Sequence, residues 1–170
     1  MELRESVFSV LKYVHEFAGT TIMVKLGGSI LQDEGLLDQI AADLAAAHSG
    51  GVKLVVVHGG GPAINQELEL RDIKWNFVDG LRVTTPEMMK VIEMTLCGQV
   101  NRRIVRALNK KGLRAVGFSG ADALTLLCSP ASKKLGLVGE IETVNSQLID
   151  QVLNMPGDLG LRGIPVIAPI

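Results

Sequence analysis

The spacing of apolar positions changes several times along the chain. Over residues 3 to 17, Leu3, Val7, Val10, Leu11 and Val14 fall on one side of a repeat of about 3.6 residues, while Glu2, Arg4, Glu5, Lys12 and Glu16 fall mostly elsewhere. That pattern predicts a short amphipathic helix. Gly19 ends it, and Thr20-Thr21-Ile22-Met23-Val24-Lys25-Leu26 is the β-branched, apolar run of a buried strand. After Gly27-Gly28-Ser29, residues 35 to 48 place Leu36, Leu37, Ile40, Ala41, Leu44 and Ala47 in helical step until Gly50-Gly51 stops them. Lys53-Leu54-Val55-Val56-Val57-His58 reads as a second buried strand. Gly59-Gly60-Gly61 then leads to Pro62, a residue suited to a helix's first turn. The unit of strand, glycine loop and helix therefore occurs twice.

Thr84 and Glu87 have the spacing of a capping box, and open a long helix to about Lys111, with Gly112 as its stop. Leu113 to Phe118 reads as a third strand, Leu124 to Cys128 as a short fourth, and Gly139 to Val144 as part of a hairpin. Asn145 or Ser146 caps a helix through Leu153, Pro156-Gly157 breaks it, and Ile164-Pro165-Val166-Ile167-Ala168 begins another buried strand. Strands alternating with helices predict an α/β fold: a mainly parallel sheet covered on both faces, in three layers. Residues 1–170 read as one domain, without internal repeat or long linker. A final apolar strand is expected to feed a loop and a covering helix, so an end at Pro169-Ile170 reads as an interruption.

Composition adds exclusions. The chain is 47% hydrophobic and poor in aromatics, as suits one domain that buries its own core. Its 17 Lys and Arg against 18 Asp and Glu form no basic stripe, which argues against a nucleic acid or an anionic membrane as partner. No stretch reads as a leader or a membrane span, so a cytoplasmic setting is expected. Cys97 and Cys128 lie outside any CxxC spacing, indicate neither zinc nor disulfide, and are expected to be buried apolar residues.

The candidate chemistry lies in the glycine loops. Each follows a buried strand, so both should lie beyond the carboxyl ends of neighbouring strands, where α/β folds bind ligands. Lacking Cβ atoms, they can present backbone N–H groups to an anion, with the following helix adding its positive end. Neither is a P-loop or a GxGxxG fingerprint. Lys25, at the end of the first strand, can neutralise charge on a phosphoryl group in transit. The plainer alternative for each loop is a tight turn without a ligand. Arg82 stands before a helix start, and its planar fork suits a carboxylate held at two oxygens; pairing with Asp79 or Glu87 is equally open. His58 is expected to be a structural histidine at a strand end, and Asp122 a turn residue.

Lys25-Leu26-Gly27-Gly28, Val57-His58-Gly59-Gly60-Gly61-Pro62 and Gly80-Leu81-Arg82-Val83-Thr84 together resemble the amino-acid kinase family, and within it the acetylglutamate kinases. The resemblance continues through Asn101-Arg102-Arg103, Ser119-Gly120, Gly139-Glu140 and the last strand. It implies phosphorylation of the side-chain carboxylate of N-acetyl-L-glutamate by MgATP, on the route to arginine. It also implies roles: Lys25 stabilises the transferring phosphoryl group, and Gly27, Gly28 and Gly59 cradle phosphate oxygens. Gly60 and Gly61 hold the substrate, and Arg82 binds its α-carboxylate. No protein-held metal is implied, and a homodimer or higher homo-oligomer is. Beyond the terminal strand such proteins carry an Asn-x-Asn-Ala-Asp segment and a nucleotide-binding lobe, which these residues do not include. Two alternatives accompany this reading: a non-catalytic regulatory domain like that of acetylglutamate synthases, and an aminoadipate kinase.

Overall fold

A computed structural model of the chain describes residues 16–28, 30–156 and 162–170. The helix predicted over residues 3 to 17 lies, apart from Glu16 and Phe17, outside them. In chain order the elements are β1 (Thr21–Leu26), α1 (Glu34–Ser49), β2 (Lys53–His58), α2 (Gly61–Glu69), β3 (Phe77–Val78) and β4 (Leu81–Arg82). There follow α3 (Pro86–Glu93), a π-helical segment (Met94–Val100), α4 (Asn101–Lys110), β5 (Arg114–Ser119), β6 (Leu126–Pro130), β7 (Gly139–Val144), α5 (Gln147–Leu153) and β8 (Gly163–Ala168).

A four-stranded parallel sheet runs in the order β1, β2, β8, β5. The chain steps one way from β1 to β2 and on to β5, then back to β8. Right-handed crossovers therefore send α1 to α4 to one face and α5 to the other. The packing agrees. On the first face Leu37, Ala41, Ile64, Leu68, Ile104 and Leu108 close over Leu54, Val56, Ile164 and Val166. On the second, Val152 and Leu153 of α5 cover Val55, Phe118 and Ile167. β8, second from the β5 edge and covered on both sides, is buried along its whole length, which is why its sequence is apolar without alternation. The three-layer α/β arrangement expected from the sequence is the one observed.

Several local expectations need correction. The cap of α3 is Thr85, whose hydroxyl accepts from the Met88 N–H at 3.2 Å, because Pro86 takes the first turn. Thr84 instead uses its backbone to bond Leu135 and Leu137. The long helix is continuous but opens into π turns between Met94 and Val100. The fourth strand begins at Leu126, since Ala123 and Leu124 take φ of 50° and 54°, which no strand accommodates. Cys128 is exposed and Cys97 half-buried, because Cys128 lies on the β6–β7 hairpin, which pairs apart from the main sheet.

Candidate functional site

Leu26 and His58 are register partners at the ends of β1 and β2, so the glycine turns that follow emerge side by side. They touch. Gly59 N–H donates to the Leu26 carbonyl at 3.1 Å, and a Cβ on Gly28 would lie 2.4 Å from Cδ of Pro62. Gly60 is backed by the π segment, where Leu96 Cδ2 would stand 2.5 Å from an added Cβ. By contrast, an added Cβ on Gly27, Gly59 or Gly61 would meet nothing within 4 Å. Gly28 and Gly60 are thus glycine for close packing, whereas the other three border open space. Among the described residues, the Gly60 and Gly61 N–H groups make no hydrogen bond.

Lys25 pairs in register with Val57, on the face of the sheet opposite Leu26 and His58. Its side chain is exposed and, among the described residues, engages no acid.

Arg82 lies on β4, returned by a tight turn in which Asp79 has φ of 51° and Gly80 of 80°. Both left-handed positions match an Asp-Gly turn of type I′. The guanidinium stands over the Phe77 ring at 4.7 Å and the Trp75 ring at 5.6 Å from their centroids. Nη2 donates to Oδ1 of Asn65, while Nη1 is buried without a partner among the described residues. Burial lowers the Arg82 pKa, yet an arginine remains charged at neutral pH. Neither Asp79 nor Glu87 pairs with it; the ion pairs among the described residues are Arg71–Glu67, Arg103–Glu34 and Lys111–Asp38. Asn65 lies one turn beyond Gly61 on the same face of α2, which brings Arg82 beside the second glycine loop.

His58 is fully buried, with Nδ1 3.0 Å from the Gly59 carbonyl and Nε2 3.1 Å from Asn101 Nδ2. Burial, the larger effect, lowers its pKa, partly opposed by the bond to Gly59. The unfolded chain then binds this proton more readily than the folded one, so stability should be full above about pH 6.5 and fall as pH drops below it. The loss should approach about 1.4 kcal/mol per pH unit until His58 titrates in the fold. Urea denaturation at a series of pH values, with His58→Asn removing the imidazole's share of the slope, checks this.

Asp122 serves its turn as expected, accepting from Ser119 N–H at 2.7 Å and from its hydroxyl at 2.9 Å. Among the described residues, no group of three His, Cys, Asp or Glu could hold a metal, and no helix is long and apolar enough to cross a membrane. Sequence reasoning missed Asn65, Trp75, Phe77 and Asn101. The β3–β4 hairpin that carries Arg82 could have been found from Asp79-Gly80 between Phe77-Val78 and Leu81-Arg82. Nothing in the sequence pattern marks Asn65.

The structure thus brings together two parallel strands ending in touching glycine turns, an exposed lysine near the end of β1 and an arginine beside the second turn. The amino acid kinase family model matches residues 20–170, and the chain belongs to that family. It is 42% identical over 171 residues to the acetylglutamate kinase of Campylobacter curvus, covering 100% of this chain and 59% of that protein. It is 44% identical over 162 residues to that of Chlorobaculum tepidum, covering 94% and 55%. The chain thus spans little more than half the length of these curated relatives. Among solved structures, a Streptococcus mutans UA159 protein superposes with TM-score 0.72 at 26% identity, over 88% of this chain and 58% of the other. The Neisseria gonorrhoeae N-acetylglutamate synthase complexed with coenzyme A and N-acetyl-glutamate gives TM-score 0.74 at 22% identity, over 93% and 35%, a likeness of fold.

Proposed function

We propose that this chain carries the acceptor-binding part of an acetylglutamate kinase, which transfers the γ-phosphoryl group of MgATP to the side-chain carboxylate of N-acetyl-L-glutamate. The observation that carries the reading is the Arg82 guanidinium. It is held by Asn65 and two aromatic rings beside the glycine loops. A guanidinium fixed in this way suits a carboxylate bound at two oxygens. Here it is the α-carboxylate of the substrate.

In this reading the other carboxylate of the substrate attacks the γ-phosphorus, and the bond to the bridging oxygen of ADP breaks. An ionised carboxylate is already a nucleophile at neutral pH, so no proton moves and no general base is needed. What remains is positioning and charge. The N–H groups of Gly60 and Gly61 meet the acceptor, Gly27 and Gly59 leave backbone room for phosphate oxygens, Gly28 lets the first turn pack on Pro62 beside them, and the Lys25 ammonium balances the charge. Magnesium travels on the nucleotide's phosphates, as is usual for this ion. A homodimer formed through this lobe accompanies the proposal, supported by the exposed Leu127, Ile141 and Val144 on the β6–β7 hairpin.

The test is calorimetric titration of the folded chain with N-acetyl-L-glutamate and, separately, with MgATP. Saturable binding of N-acetyl-L-glutamate, and weaker binding of N-acetylglycine, which keeps the α-carboxylate but lacks the side-chain one, are expected. A folded chain that ignores N-acetyl-L-glutamate sinks the substrate assignment.

A further inference from the structure

The π segment backs Gly60 of the second glycine loop through Leu96 and Val100, and Asn101, the residue after its end, reaches His58 just before that loop. Asn101 is fully buried and bridges two strands: its Nδ2 lies 2.9 Å from the Val166 carbonyl on β8 and 3.1 Å from Nε2 of His58 on β2. A carbonyl only accepts, so the nitrogen of the carboxamide must face Val166; turned over, two oxygens would oppose each other there. The second hydrogen of Nδ2 then points at His58, whose Nε2 must carry the lone pair. That leaves the proton on Nδ1, where it donates to the Gly59 carbonyl. One orientation of one amide thus fixes the tautomer of His58.

The tautomer in turn fixes the loop. The Gly59–Gly60 peptide is planar and trans, so its carbonyl and N–H point in opposite directions. With the carbonyl held down onto His58, the Gly60 N–H is turned away from His58, and among the described residues it makes no backbone hydrogen bond. The arrangement leaves Asn101 Oδ1 buried with no partner among the described residues, a cost that a side chain with only a packing role would not incur. Such π turns also tend to occur at functional sites.

We propose that Asn101 is a positioning residue which, through the tautomer of His58 and the Gly59 carbonyl, aims the Gly60 N–H at the anionic group of the ligand. The inference depends on the substrate reading above only for the identity of that ligand. Its test therefore starts without one. In nitrogen-15 NMR of the folded chain, His58 should show a single neutral tautomer protonated at Nδ1, and Asn101→Leu should mix the tautomers and shift the Gly60 amide resonance. Titrated with N-acetyl-L-glutamate, Asn101→Leu should bind about tenfold more weakly, the share of one lost hydrogen bond. Should Asn101→Leu fail to fold, His58→Asn against His58→Leu decides the question. The asparagine can keep a donor near the Gly59 carbonyl and should preserve the Gly60 amide position, which the leucine should not. A His58 protonated at Nε2, or a Gly60 amide unmoved in every folded variant, overturns the proposal. Loss of N-acetyl-L-glutamate binding by the unaltered chain would strike the substrate reading instead, with the clamp then judged by the two ligand-free signals.

Discussion

Arg82→Ala is expected to weaken binding of N-acetyl-L-glutamate by at least about 30-fold while leaving the chain folded. The size follows from truncating one partner of a desolvated, hydrogen-bonded charge pair, which costs about 2–5 kcal/mol. Most of that cost is the substrate carboxylate left facing Phe77, Trp75 and Asn65 without its cation. Arg82→Lys should recover part of the affinity and none of the geometry. An ammonium cannot donate to Asn65 and to a carboxylate in one plane, nor lie flat over the Phe77 ring. Calorimetry of both variants, beside circular dichroism to confirm folding, reads the effect. Equal affinities in all three proteins would mean that the carboxylate binds elsewhere.

The large features of this molecule are written locally. β2 was visible because a parallel strand buried on both faces needs a continuous apolar run, which is hard to mistake when glycines follow it. β1 has a similar run but lies at the sheet edge with Thr21, Ile22, Met23 and Lys25 exposed, so the buried strand its pattern predicts is corrected to an edge strand. The contact between the two glycine loops followed from topology alone, since adjacent strands in a parallel sheet end on one edge. The partners of Arg82 were not legible for the opposite reason. Asn65 and Trp75 reach it from other elements, and no period or spacing in one sequence encodes a meeting between side chains. His58 is a sharper case. Reading it as structural agrees with its burial, yet its Nε2 meets Asn101, 43 positions away, and no local pattern encodes that pairing or the tautomer it selects. The shift of the α3 cap from Thr84 to Thr85 has a simpler cause. Both threonines can cap, and what decides is that Leu135 and Leu137 take the Thr84 backbone into another pairing.

Gly117→Ala should be the most destabilising single methyl that this fold could receive among the glycines of its sheet strands. The added Cβ would lie 1.9 Å from Asn101 Oδ1, 2.8 Å from Val105 Cγ2 and 2.9 Å from Arg102 Nη2. None of these can retreat cheaply. Asn101 is tied to Val166 and His58, and Arg102 Nη2 donates to the Gly117 carbonyl itself at 2.7 Å. Gly117 pairs with Val166 in the register of β5 and β8, so moving the backbone instead would disturb the centre of the sheet. Overpacking of a close-packed interior costs about 1–3 kcal/mol, and breaking the Asn101 bonds adds to it, so a loss of at least about 3 kcal/mol is expected. For a chain of this size that corresponds to a melting point lower by roughly 6–12 °C. Gly59→Ala supplies the contrast, because its Cβ would meet open space and should leave the melting point nearly unchanged while hindering ligand approach. If Gly117→Ala melts with the native chain, Asn101 does not occupy the space against β5, and the geometry that fixes the His58 tautomer falls with it.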